Sequence, residues 1–307
     1  MKNLLVSACL LACAALPVAA APGDITLDVK NAFPESITST EDGTLYIGSM
    51  PLGTVYRVSP GTTTPVLWLS NDKIGLPQVL GVLADKATDT LWLCADGEGN
   101  RAALKSYALS TGAQTGSYNL PGGGFCNDVA LRNGDAYVTD MNNGRILKLS
   151  KGGKALTPWY QHDKSDPSLD GLAFQGAHLI TNTYDTHHLI RIDLLPGGKA
   201  DKGVVLTTSL PLQNPDGIRL TRDNRLLMVE GRAKDGNGRL VEVIVTGVSA
   251  VIKVIQDGYM VPAAVTAVGD TAYVLEAKFN YQDDPALKGK DPGAFKAYAV
   301  PLNIPLK

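Results

Sequence analysis

Six positions recur along the chain at intervals of about 45 residues: Glu35, Leu80, Asn127, Asp170, Asp216 and Ala263. Each stands at the head of a short apolar segment, as in Pro34-Glu35-Ser36-Ile37, Leu169-Asp170-Gly171-Leu172 and Pro215-Asp216-Gly217-Ile218. If equivalent positions of a closed repeat face one axis, three carboxylates and one amide converge. Two unit charges about 4 Å apart repel by roughly 4 kcal/mol at an effective dielectric of about 20. Three such groups need a cation among them or strongly raised pKa values. Oxygen donors without Cys or His point to a hard divalent cation. A wide ring with room for water favours Ca²⁺, with Mg²⁺, Mn²⁺ or Zn²⁺ as alternatives. Glu35, Asn127, Asp170 and Asp216 are thus candidate metal ligands. The competing reading makes Asp170-Gly171 and Asp216-Gly217 plain turn dipeptides, as Asp42-Gly43 and Asp235-Gly236 are taken to be. The shared register favours a site.

The repeat that aligns this column is clearest in its third copy. Cys126-Asn127-Asp128-Val129-Ala130-Leu131 leads through Asn133-Gly134 into Ala136-Tyr137-Val138-Thr139-Asp140, and Gly144 into Arg145-Ile146-Leu147-Lys148-Leu149. Asn-Gly is a type I′ hairpin signal, and a weaker fourth strand closes each unit. Four strands per repeat of about 45 residues is the propeller signature, and no helical periodicity of useful length competes. The expected fold is all-β: one six-bladed β-propeller of four-stranded antiparallel blades over residues 21–307. The sixth repeat runs short of an outer strand, so Ile25-Thr26-Leu27-Asp28-Val29 from the N-terminus is expected to close it. The first strand of each blade lines the channel, which places the column at one mouth.

Composition removes other classes. The 307 residues carry 28 basic and 30 acidic side chains, a net charge of −2, which leaves no electrostatic footprint for nucleic acid or an anionic membrane. An apolar content of 44% with 19% charged residues is that of a folded chain. Residues 1–20 have the form of a signal peptide: Lys2, an apolar run from Leu4 to Leu16, and the small residues Val18-Ala19-Ala20. The alternative is a lipoprotein signal at Leu10-Leu11-Ala12-Cys13. No segment reaches the roughly 20 apolar residues of a membrane span. An exported protein, periplasmic or secreted and monomeric, is expected. Cys94 and Cys126 then sit in an oxidising compartment. They fall on the mouth face, either bridged or as two buried small hydrophobes.

Further residues gather near that mouth. Asp140 stands at a second-strand end, where a carboxylate is expected to tie blades together. Asn182, Glu230 and Glu276 share its column, as a substrate rim or as solvent-exposed groups. His187-His188 enters a third strand and reads as a loop or blade contact rather than a general base. Residues 279–293, with Asp283, Asp284, Pro285, Asp291 and Pro292, are expected to form a loop over the mouth, neither helix nor linker. With Phe125 and Tyr184 it would build an aromatic wall for an apolar substrate.

Phe33-Pro34-Glu35-Ser36, Asn127-Asp128, Asp170-Gly171-Leu172 and Pro215-Asp216-Gly217 together resemble the gluconolactonase/regucalcin family of six-bladed propellers, which includes luciferin-regenerating enzyme. The resemblance extends over the mature chain by repeat order. It implies a catalytic divalent metal held by Glu35 and Asp216, with Asp170 where the family has Asn, and Asn127 contacting substrate or water. The family's sugar-lactone enzymes place an Arg where this chain has Phe125, so a sugar acid fits poorly. The implied function is a metal-dependent hydrolase of a lactone or other ester, with Asp216 as general base. A non-catalytic ligand- or protein-binding propeller with a structural ion is the alternative, and a lyase or isomerase a third possibility.

Overall fold

The computed structural model describes residues 23–231 and 237–302. The expected signal peptide and the Asp235-Gly236 turn lie outside them. Six sheets follow one another around an axis. Their inner strands are Pro34–Ser39, Gln78–Asp85, Cys126–Arg132, Leu169–Gln175, Pro215–Leu220 and Pro262–Val268. Each packs on the next, and the last packs back on the first. The protein is a six-bladed β-propeller. Blade six is completed by Ile25–Leu27, which pairs antiparallel with Phe295–Pro301 and thereby removes a free edge.

Two blades depart from the simple plan. The outer position of blade four is filled by two short pieces, Lys199–Ala200 and Val204–Val205, both paired with Leu189–Leu195. Blade five adds Thr207–Thr208, parallel to its outer strand Ser249–Tyr259.

The core is divided among the interfaces between blades, because each sheet buries both faces against its neighbours. Between blades three and four, for example, Tyr137 meets Trp159 and Phe174 edge-on, with ring centroids 5.0 and 4.8 Å away. Blades two and three are also joined covalently. Cys94 and Cys126 form a disulfide with their Cα atoms 5.1 Å apart, which decides between the two readings of that pair.

The 279–293 segment is not wholly loop. It opens with a single helical turn, Asn280–Asp283, and Phe279 and Tyr281 pack on the core of blades six and one. Lys278 Nζ donates to the carbonyls of Pro292 (2.9 Å) and Ala294 (2.8 Å), fastening the two ends of the loop together.

Candidate functional site at the channel mouth

The recurring column coincides with a recurring backbone feature. Every inner strand slips register against its second strand at the column position: between Pro34 and Ser36, Val79 and Val82, Cys126 and Val129, Leu169 and Leu172, Pro215 and Ile218, and Pro262 and Ala264. A bulge releases a residue from the ladder and re-aims its side chain. Glycine after the column residue lets blades close in. A Cβ on Gly81 would stand 2.6 Å from the Asn127 carbonyl oxygen, and one on Gly171 2.7 Å from that of Asp216. Each neighbour contacted in this way is itself a column residue.

Glu35, Asn127, Asp170 and Asp216 are all buried at this end, with Leu80 and Ala263 completing the ring. The carboxylates sense one another. Asp170 is pushed up to about 8, first by burial and then by the charge of Asp128, while the neighbouring Asn127 amide favours its ionised form. Asp216 is held well above the usual carboxylate range by burial, Asp170 and Glu35. Glu35 is raised likewise by burial, Asp170 and Asp128. The Glu35 Oε2 atom is buried with no hydrogen-bond partner. Asp216 Oδ1 accepts from the Gly217 N–H at 2.9 Å. Its carbonyl accepts from Asn182 Nδ2 of the adjacent blade at 3.0 Å, and Thr139 ties the Asp170 carbonyl in the same way at 2.7 Å. Among the described residues, no three Asp, Glu, His or Cys side chains are gathered tightly enough to make a ready metal-binding group. The donor chemistry suits a hard cation.

Beyond the ring lies a feature that the column did not reveal. Arg219, three residues along the strand from Asp216, reaches across the channel to Asp128, with Nη1–Oδ2 at 2.6 Å and Nη2–Oδ1 at 2.9 Å. Nη2 also donates to the Val82 carbonyl at 3.2 Å. Cavities of about 210 and 280 Å³ meet Arg219 from the opposite end of the channel. The pair therefore forms a floor between the ring and that end. Its sequence signal was an arginine in an inner strand whose counterparts are Thr38, Leu83, Ala130, Ala173 and Thr266.

The three residues expected as a rim or as solvent-exposed groups are buried. Glu230 is fully buried and ion-paired with Arg239, and Glu276 is buried and accepts from the Met260 N–H at 2.7 Å. Asn182 is fully buried and engaged with the Asp216 backbone. Burial of all three removes the reading of them as solvent-exposed groups, and the Asn182 Oδ1 atom has no hydrogen-bond partner. Asp140 works within its own blade, pairing with Arg145 at 2.7 Å and accepting from the Phe125 N–H at 3.0 Å. Asp96 does cross between blades, accepting from the Cys126 N–H at 3.1 Å. His188 and His162 share Asp166 at 3.0 and 3.4 Å, a contact between blades four and three.

Tyr184 and Phe125 are both half-buried. The Tyr184 hydroxyl is pushed up by burial and by Asp216, Asp170 and Asp283, which puts the 279–293 loop at the same mouth as the ring. A recurring hydrogen bond fixes this geometry: Tyr184 N–H donates to the Ser168 carbonyl at 2.9 Å, as Met141 does to Phe125 at 3.0 Å and Ala277 to Val261 at 3.0 Å.

No protein-family profile matches the chain, and no curated protein matches it by sequence. Solved structures do. Luciferin-regenerating enzyme superposes with a TM-score of 0.65 at 13% identity, covering 92% of this chain and 96% of its own. A gluconolactonase from Xanthomonas campestris gives 0.63 at 15% identity, with 90% and 89% covered. Virginiamycin B lyase from Staphylococcus aureus gives 0.59 at 17% identity, with 82% and 80% covered. These neighbours are propeller enzymes, and the likeness is one of fold.

Proposed function

We propose that the protein is an exported metal-dependent hydrolase acting on a lactone or other ester at the ring mouth. The observation that carries this reading is the ring itself. Three buried carboxylates from three blades raise one another's pKa, and one of their oxygens, Glu35 Oε2, has no partner. Glu35, Asp170, Asp216 and the Asn127 oxygen would hold a divalent cation, with Ca²⁺ preferred. When bound, the ion supplies Lewis-acid polarisation of an ester carbonyl and neutralises developing oxyanion charge. With a cation offsetting the charges that raise it, Asp216 would be ionised, and its Oδ2, which the Gly217 N–H does not take, would accept the proton of an attacking water. Phe125, Tyr184 and the pinned 279–293 loop present an aromatic wall to the apolar part of the substrate. The Cys94–Cys126 bridge supports passage through an oxidising compartment.

The second reading is a non-catalytic binding propeller with a structural ion. A screen of lactones, aryl esters and phosphotriesters, with and without EDTA, separates the two. Hydrolysis lost on chelation and restored by Ca²⁺ is the expected result. Activity unaffected by chelation, with no ion retained after dialysis, removes the metal-hydrolase reading; a bound ion without turnover leaves the binding propeller.

A further inference from the structure

We propose that a cleft at the edge of blade two, separate from the ring, binds a small oxyanion: a carboxylate, phosphate or sulfate group. The cleft has a volume of about 320 Å³ and runs between Gly75-Leu76, the outer strands of blade two and the approach to Phe125 at Leu120 and Gly123. Its polar lining is Asn100, Arg101, Lys105, Ser117 and Asn119, and no carboxylate lines it. The strand register builds this set. Lys105 lies directly opposite Ser117 and Ala103 opposite Asn119, so the small Ala103 leaves room on the face that Arg101 and Lys105 share.

Lys105 is the unusual member. It is half-buried in the cleft wall, and burial lowers its pKa. Its side-chain ammonium makes no hydrogen bond or ion pair with the described residues. Arg101 spends only its Nε, on the Glu98 carbonyl at 3.0 Å, and keeps its terminal fork. A partly desolvated ammonium without a counterion is costly. Elsewhere the protein answers this need with its own carboxylates, as at Lys148 with Asp135 (2.7 Å) and Arg225 with Glu242 (3.2 Å). Here it supplies amides, a hydroxyl and a second cation instead. A guanidinium fork beside an ammonium and side-chain amides is the donor array that charge-assisted recognition of an oxyanion requires.

The test is isothermal titration of the full-length mature protein with inorganic phosphate, sulfate and acetate at constant ionic strength set with chloride. Saturable binding of at least one anion is expected, and phosphate against acetate distinguishes a phosphoryl from a carboxylate ligand. Lys105→Met keeps the apolar stem and should weaken binding by about tenfold or more; Arg101→Gln should weaken it further. The exposed Lys151→Met serves as the control for a general loss of charge and should leave affinity unchanged. Asp216→Ala should also leave it unchanged, because the ring lies elsewhere. No saturable binding by the folded wild type overturns the proposal. So does an unchanged affinity in the Lys105→Met/Arg101→Gln double variant, or loss of binding in Asp216→Ala.

Discussion

Two sets of buried carboxylates stand one residue apart in the same channel, and the protein treats them oppositely. Asp128 is given a resident cation, held bidentately and anchored again on the Val82 carbonyl. Glu35, Asp170 and Asp216 are given one another, and all three are driven toward protonation. The Asp128 charge is buried with its partner built into the fold, whereas the three ring carboxylates raise one another's pKa and favour the protonated form. Propellers position the two alike, so the difference rests on side chains alone.

Breaking the floor should have the largest effect. Arg219→Met leaves Asp128 buried with no compensating charge among three other carboxylates. Removing one partner of such a pair costs about 3–5 kcal/mol, read as a lowered midpoint in urea unfolding. The Asp128→Leu/Arg219→Met double variant removes both charges and should recover most of that loss. If the single variant unfolds like wild type, Arg219 does not hold the floor.

This contrast also marks how far the sequence could be read. The column was legible, because strand period, Asn133-Gly134 and the repeating apolar heads fix which residues start each inner strand. The six bulges that re-aim it were not, since a register slip has no residue signature of its own. The closing strand Ile25–Leu27 followed from a repeat one strand short. Arg219 was not legible, since a partner across the channel has no local pattern and depends on the curvature that closes the ring. Glu230 and Glu276 occupy the right column but are buried. The pairing of Glu230 with Arg239 repeats that of Asp140 with Arg145 in blade three, a pattern of third-strand arginines that the column alone does not show.

Asp96 sharpens the comparison, as a buried carboxylate with a hydrogen bond but no cation. Its carboxyl is pushed up to about 8, chiefly by burial, against the Cys126 N–H that favours the charged form. An unfolded Asp titrates near about 4. Between those values the folded chain binds the extra proton, so stability falls as pH rises from about 4 to about 8 and stays low above. Asp96→Asn keeps the acceptor for Cys126 and deletes the titration. It should raise stability at pH 8 by on the order of a few kcal/mol and flatten the pH profile. Equal pH slopes for the two proteins in urea unfolding would exclude Asp96 as the source.

The smallest effect expected is the most specific to the ring. Asp170→Asn preserves an oxygen donor and removes one of the mutually repelling charges. If the ring holds Ca²⁺ as proposed, the cation must displace the proton that Asp170 holds up to about 8 and those of the raised Glu35 and Asp216, so wild-type affinity should climb with pH through about 8. The variant has no proton to displace at that position. Its affinity should vary less with pH, and above pH 8 should fall below wild type by about tenfold for the lost charge. Below about pH 6 the two should converge, because there the wild-type carboxyl is also neutral. Calcium titrations at pH 6, 7, 8 and 9 check this directly. Parallel profiles for the two proteins would place Asp170 outside the ligand set and leave Glu35 and Asp216 to hold the ion, whereas convergence at low pH ties the proton and the cation to the same oxygens.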